Sequence, residues 1–256
     1  MKIRSFLAAA KIGFLILLAQ GLAAEAAEVK VIAGVATRAV MEELGPQFER
    51  APGHKLVIWY GNAGTIKKRM AAGEPFDLAV FGKPTIDAYT KQGKVDAHTH
   101  VPIARVGLGV AARAGAPKPD ISSVEAFKRA ALAAKSVAYN PGGGPGIYLA
   151  SVFERLGIAE QMKAKNEWKP GGGRILPGVA DGAAELGFTF TNEIKSAKGL
   201  ELVGPLPAEL QRYSVFTAGI ATDAKQPEAA RALIKFLRSP AAVAVIKAKG
   251  MEPAAP

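Results

Sequence analysis

Not one of the 256 residues is cysteine. Disulfides, cysteine-based zinc sites and cysteine nucleophiles are therefore excluded together. Histidine is nearly as scarce: His54, His98 and His100 are the only three. His98-Thr99-His100 would set two imidazoles on one face of a strand, but no acidic or third histidine partner lies close by in sequence. A solvated loop is the simpler reading, and no metal is expected. The Gly-x-Ser-x-Gly nucleophile elbow and the His-Glu-x-x-His zinc motif are both missing. The glycine-rich stretch from Asn140 to Gly146 lacks the Gly-Lys-Ser/Thr ending of a P-loop. No catalytic residue and no cofactor are assigned on these grounds. Aromatic residues make up 7%, and the positive charges are scattered without the aromatic interleaving of a single-strand nucleic-acid groove. Nucleic acid is not an expected partner.

Long apolar runs are missing too, save one. Lys2, Arg4 and Lys11 form a basic leader, Ile12 to Ala19 is unbroken and apolar, and small residues follow from Gly21 to Ala27. That order is the pattern of a cleavable secretion signal. The apolar run is about half of the ~20 residues that cross a bilayer. Cleavage is expected between Ala23 and Ala27, leaving a soluble mature chain outside the cytoplasm, in the periplasm. Acidic residues are outnumbered, 22 against 33 Lys and Arg, giving a formal charge of +11. Losing Lys2, Arg4, Lys11 and Glu25 with the leader lowers it to about +9. Such a balance draws anions over some distance. With 49% hydrophobic and 21% charged residues the chain is globular rather than disordered.

What is present alternates. Val29 to Val35 reads as a buried strand, and Thr37 to Arg50 carries Val40, Leu44 and Phe48 at helical spacing. Lys55 to Tyr60 is a second strand, followed by a glycine-flanked turn, Gly61 to Gly64, and a helix. Asp77 to Phe81 is a third, leaving through Gly82-Lys83-Pro84 into another helix. Val101 to Ala112 is a long apolar strand. Ser122-x-x-Glu125 matches a capping box ahead of a helix from Val124 to Ala133. Ser136 to Tyr139, the 140–146 loop and a helix with Ile147, Leu149, Val152, Phe153 and Leu156 come next, and then a glycine run before Arg174. Leu186 to Phe190 forms a further strand. Tyr213 to Thr222 returns as a strand, and helices from Pro227 and near Ala241 to Lys249 complete the chain. The alternation implies an α/β protein with mostly parallel sheets flanked by helices. Two lobes joined by crossing strands fit better than separate beads. The division expected is a leader over 1–26, one lobe from 27–104 and 213–256, and a second lobe over 105–212.

In such sheets ligands sit beyond the carboxyl ends of the strands, where helix N-termini present free N–H groups. The strand exits therefore nominate a site: Thr37, Asn62, Thr65, Tyr148, Thr191 and Asn192 as hydrogen-bonding side chains, with Lys83 and Arg174 as cations. Together they would suit a small anion.

Six segments in register resemble the molybdate-type substrate-binding proteins of ABC transporters. They are Val31-Ile-Ala-Gly-Val-Ala36, Tyr60-Gly-Asn-Ala-Gly64, Ala71-Ala-Gly-Glu-Pro-Phe-Asp-Leu78, Asn140-Pro141 with Gly146-Ile-Tyr148, Gly182 to Phe190, and Leu202-Val-Gly-Pro-Leu206. The resemblance implies a type II periplasmic-binding-protein fold of two lobes. It also implies closure over a small anion such as molybdate or tungstate, and delivery to an inner-membrane permease by a monomeric carrier that is not an enzyme. Carried over position by position, it adds Ala36, Ala63, Gly64, Gly146 and Phe190 to the site. It also shows departures. The family's first serine aligns with Ala36, its second with Asn62-Ala63 and its tyrosine with Phe190, so three hydroxyl donors are lost. At roughly 1.5–3 kcal/mol for each hydrogen bond to a charged group, that is on the order of 5–9 kcal/mol, against about 8 kcal/mol for a whole micromolar affinity. Thr37, Asn62 or Thr191 would have to substitute. A small organic carboxylate, paired with Lys83 or Arg174, is a rival ligand, and a secreted enzyme on the same fold is a rival function.

Overall fold

β1 (Ala27–Gly34) turns Glu28 and Lys30 outward and Val29 and Val31 inward, then runs Ile32 to Gly34 wholly buried as it enters the sheet. The computed structural model describes residues 27–50, 54–168 and 175–254. The expected leader and Arg174 lie outside the described residues.

β2 (His54–Gly61) and β3 (Leu78–Gly82) flank β1 in parallel. Each strand hands over to a helix at the same end of the sheet. β1 leads through a short 3-10 turn (Val35–Thr37) to α1 (Arg38–Glu49), β2 to α2 (Ala63–Ala71) and β3 to α3 (Lys83–Lys91). One deeply buried carboxylate locks this half together. Asp77 accepts hydrogen bonds from the backbone N–H groups of Lys30, Lys225 and Gln226 at 2.7–2.8 Å. The aspartate of the Gly-x-Pro-x-Asp segment is thus a structural anchor.

β4 (Val101–Arg113) has 13 residues, about 40 Å at ~3.3 Å per residue, enough to run through both halves. Its first part pairs antiparallel with β8 (Tyr213–Ile220). From Leu108 onward it pairs with β6 (Leu186–Phe190) and, from Gly109, with β7 (Leu200–Pro205). At the change of partner, Gln211 takes the place of a strand: its Oε1 accepts from Leu108 N–H at 2.9 Å and its Nε2 donates to Leu108 C=O at 2.8 Å.

The second half holds α4 (Val124–Ala133), β5 (Val137–Ala138), α5 (Gly144–Arg155), α6 (Ala159–Ala164), α7 (Ile175–Ala180) and α8 (Thr191–Ser196). β5 and β6 are parallel. After β8 the chain closes with α9 (Pro227–Leu237), α10 (Pro240–Ala248) and β9 (Glu252–Pro253). Among the described residues the strands form one sheet in the order β2-β1-β3-β8-β4-β6-β5, with β7 and β9 also on β4. Parallel pairs build each lobe, and the antiparallel pairs come from the crossing strands. One apolar core extends through both halves, from Val29, Leu44 and Leu233 to Phe127, Phe153 and Phe188. A second, around Ile66, Phe76, Ile86 and Tyr89, fills the other face of the first lobe.

Two local expectations are corrected. The cap of α4 is Ser123, whose hydroxyl accepts from Ala126 N–H, and not Ser122. Ile147, placed with the apolar residues of α5, is 61% exposed. Leu202 to Leu206, for which the sequence pattern marks no element, belongs mainly to strand β7, added to β4 by long-range pairing that has no periodic signature of its own.

Candidate functional site

Because β1, β2 and β3 are parallel, α1, α2 and α3 all start at one end of the first lobe. The same holds for α5 and α8 after β5 and β6. A single buried hydrogen bond shows that the two ends meet: Asn192 Nδ2 of α8 donates to the carbonyl of Ala36, at 2.7 Å across 156 residues of sequence. Beside it, Phe216 of β8 bridges the lobes. Its ring lies 5.9 Å from that of Phe190 and edge-on to it, and it closes over Gly34, where an added Cβ would come within 3.1 Å of it. The strand exits of both lobes thus meet at one place, where the resemblance puts the ligand cleft, with Phe216 packed between Gly34 and Phe190.

The side chains nominated as donors are mostly engaged within the protein. Thr37 is buried and its hydroxyl donates to Gly34 C=O at 2.8 Å. Asn62 caps α2, its Oδ1 accepting from Thr65 N–H at 2.9 Å, and the Thr65 hydroxyl donates back to Asn62 C=O at 3.0 Å. Ala63 and Gly64 form the first turn of that helix. Lys83 is exposed and pairs with Asp87 one turn on, at 2.7 Å. Tyr148 donates its hydroxyl to Leu210 C=O at 2.9 Å. Gly146 is buried because the backbone of the 140–143 turn lies directly on it, and a Cβ there would collide with Asn140 C=O. Phe190 is buried, and Thr191, half-buried, opens α8 with its methyl against Gly109. The structure brings Ala36, Phe190 and Asn192 together. Lys83 and Tyr148 are turned to partners of their own.

What remains open is the backbone. α1, α3, α5 and α8 begin without a side-chain hydrogen bond to their first N–H groups, as α6 and α9 also do, while α4 and α10 are capped by Ser123 and Ser239. Among the uncapped starts the Arg38 N–H is already bonded to Val35 C=O, and Pro84 and Pro145 in the first turns of α3 and α5 have no N–H to offer. Uncapped N-termini facing a cleft are natural partners for an anion. Sequence reasoning missed three further features. Val35 and Ile147 are large apolar side chains left 44% and 61% exposed at strand exits of opposite lobes. Arg38 stands at the exit of β1, with its guanidinium 4.3 Å from the centre of the Tyr60 ring and 3.4 Å from Glu42. Burial, with a smaller push from Glu42 and against the pull of Arg38, raises the Tyr60 phenol to about 12, so it stays a neutral donor at physiological pH. On the second lobe the guanidiniums of Arg212 and Arg155 lie 5.4 and 5.9 Å from the Tyr148 ring centre. An arginine stacked on a tyrosine from another element leaves no sequence pattern to read.

Among the described residues no group of three or more His, Asp or Glu is placed to hold a metal ion. His100 is engaged with the Thr90 hydroxyl at 2.8 Å, whereas His98 is exposed.

Comparison with known proteins agrees with the molybdate-type resemblance. The profile of a family described as bacterial extracellular solute-binding protein matches residues 29–252. An aconitate isomerase from a Pseudomonas species is 32% identical over 225 residues, 83% of each chain. The molybdate-binding protein ModA of Azotobacter vinelandii is 30% identical over 237 residues, 89% of this chain and 91% of that one. Among solved structures, the periplasmic molybdate-binding protein of Azotobacter vinelandii superposes with a TM-score of 0.73 at 24% identity, covering 89% of this chain and 99% of the other.

Proposed function

This chain belongs to the bacterial extracellular solute-binding protein family, and we propose that its cleft takes a small organic polycarboxylate rather than molybdate. The protein would work in the periplasm after loss of its leader and hand the acid to an ABC permease. One observation carries the choice of ligand: most hydroxyls at the strand exits already serve the protein. Thr37, Thr65 and Tyr148 donate to backbone carbonyls, and Ala36 and Phe190 have no hydroxyl to offer. A bare metal oxyanion is left with backbone N–H groups, Thr191 and Arg38, and with none of the three hydroxyls that the resemblance implies. The exposed side chains of Val35 and Ile147 would lie against water-rich oxygen on every side of such an ion, which gives no apolar burial in return. A carbon skeleton bearing carboxylates uses both features. Its carboxylates meet the uncapped helix starts and Arg38, and its carbons cover Val35 and Ile147.

Titration calorimetry on refolded, ligand-free protein tests this with molybdate, tungstate and sulfate in one series, and citrate and cis- and trans-aconitate in the other. Micromolar or tighter binding of at least one polycarboxylate is expected, with no heat from molybdate below millimolar concentration. The opposite ranking would restore the oxyanion reading.

A second reading is favoured by the 32% identity with an aconitate isomerase: the bound acid is also converted. A sequence without a visible catalytic motif supports the carrier. Proton NMR of cis- or trans-aconitate incubated with the protein separates the two. Unchanged ligand supports the carrier, and conversion that scales with protein concentration makes the chain an isomerase.

A further inference from the structure

Asn192 uses only the donor end of its side-chain amide. It is 2% exposed. Its Nδ2 donates to Ala36 C=O at 2.7 Å, and that carbonyl fixes which end of the amide faces it, because a carbonyl takes a donor and repels an acceptor. The other end, Oδ1, is fully buried and has no hydrogen-bond partner among the described residues. Its backbone side is held from behind. Gly250, after α10, would carry its Cβ only 3.5–3.6 Å from Asn192 Cα and Cβ, so the amide extends away from α10 toward the exit of β1. It therefore lies where the strand exits of the two lobes meet, at Ala36. The neighbouring hydroxyl of Thr37 is turned to Gly34 C=O. Buried acceptors without a donor are rare in folded proteins and call for an explanation, and a bound group that supplies the donor is one.

We infer that Asn192 is a specificity-determining residue of the cleft, whose Oδ1 accepts a hydrogen bond from a hydroxyl on the bound acid. This rests on the reading that the cleft takes an organic acid, and narrows it to hydroxy acids. Ionised carboxylates and metal oxyanions carry no proton to donate at neutral pH and leave Oδ1 unsatisfied. A ligand hydroxyl completes the amide. Because the donor end of the same amide joins the two lobes, the hydroxy acid also favours the closed form. Sites built to pair a ligand hydroxyl reject the analogue lacking it.

The test uses two acids with one skeleton, citrate and propane-1,2,3-tricarboxylate, which differ only by the hydroxyl. Calorimetric titration of the full mature protein should give at least tenfold tighter binding of citrate, and in Asn192→Leu the ratio should fall to about one. Equal affinities in the unaltered protein overturn the inference without any variant, and so does a ratio that survives in Asn192→Leu. Should the leucine variant fail to fold, Asn192→Ser, which is smaller and has a hydroxyl that can turn to Ala36 C=O, is expected to lose the same discrimination. Absence of binding by both acids is a different result: it removes the organic-acid reading itself.

Discussion

At the scale of single residues, the cleft region contains one ionisable group that works against stability. Glu193, in the first turn of α8, accepts a hydrogen bond from the Thr189 hydroxyl at 2.6 Å. Burial raises its pKa above the usual carboxylate value, and the Thr189 bond only partly opposes that rise. In the unfolded chain the carboxyl loses its proton near pH 4.3; in the folded protein it holds the proton longer. Between those two pH values the folded state binds more protons, so stability falls as pH rises, and above the raised value the whole penalty is present. Glu193→Gln keeps an acceptor for Thr189 and removes the charge. The variant should match the unaltered protein near pH 4 and gain on it as pH rises. The gain is roughly 1.4 kcal/mol for each pH unit over which the folded carboxyl retains its proton beyond the unfolded one. Urea denaturation at pH 4.5, 6 and 7.5 measures the difference. A gap that does not change with pH would mean that Glu193 is not held in its neutral form.

At the scale of elements, α2 shows how a binding residue and a capping residue are told apart. Asn62 was nominated by its place at a strand exit, yet its Oδ1 is committed to Thr65 N–H. Asn62→Ala should therefore lower stability by about 1 kcal/mol, as lost N-caps do, and Asn62→Asp should restore it, because aspartate caps equally well. The aspartate also adds a negative charge at the cleft wall. Restored melting temperature together with weakened binding of an acid would place Asn62 at the ligand, whereas restored melting temperature with unchanged affinity would confine it to capping. Much of this architecture was legible in the chain. The apolar spacing of Val40, Leu44 and Phe48 and the run of β4 mark their elements within a residue or two, because burial on one face leaves a periodic trace. The parallel order of β1, β2 and β3 follows from alternation, and the strand exits follow from that. What was not legible depends on distance in sequence. β7 and β9 add to β4 by long-range pairing, β9 with an Arg105–Glu252 ion pair beside it. Asn192 and Ala36 meet across 156 residues, and Arg38 reaches Tyr60 from a different element. Hydroxyl residues such as Thr37 look the same in sequence whether they face a ligand or their own backbone.

At the scale of the whole molecule, the two lobes are joined where β4 changes partners, and the joint depends on Gln211. Leu108 is 3% exposed, and its N–H is satisfied by the Gln211 side chain, not by a neighbouring strand. The same side chain donates to Leu108 C=O, which also accepts from Leu206 N–H at 3.1 Å. The crossing segment ahead of β8 is thus fastened to the middle of β4 where that strand changes partners. Packing adds to the constraint: a Cβ on Gly107 would come within 3.0–3.1 Å of the Gln211 amide, so the strand and the side chain lie in direct contact. Gln211→Ala leaves the buried Leu108 N–H without its acceptor, at a cost of about 1–3 kcal/mol. The loss is expected at this junction, with the lobes left intact. Two measurements separate that outcome from general weakening. Hydrogen exchange at the Leu108 amide should accelerate in the variant while amides in the centres of β1 and β6 stay protected. Small-angle scattering of the ligand-free variant should report a larger radius of gyration than the unaltered protein, with the difference removed by saturating ligand. Faster exchange spread evenly over both lobes would instead make Gln211 a stabiliser of the fold with no special part in closure. Equal radii would mean that the joint is held by β4 and β8 alone.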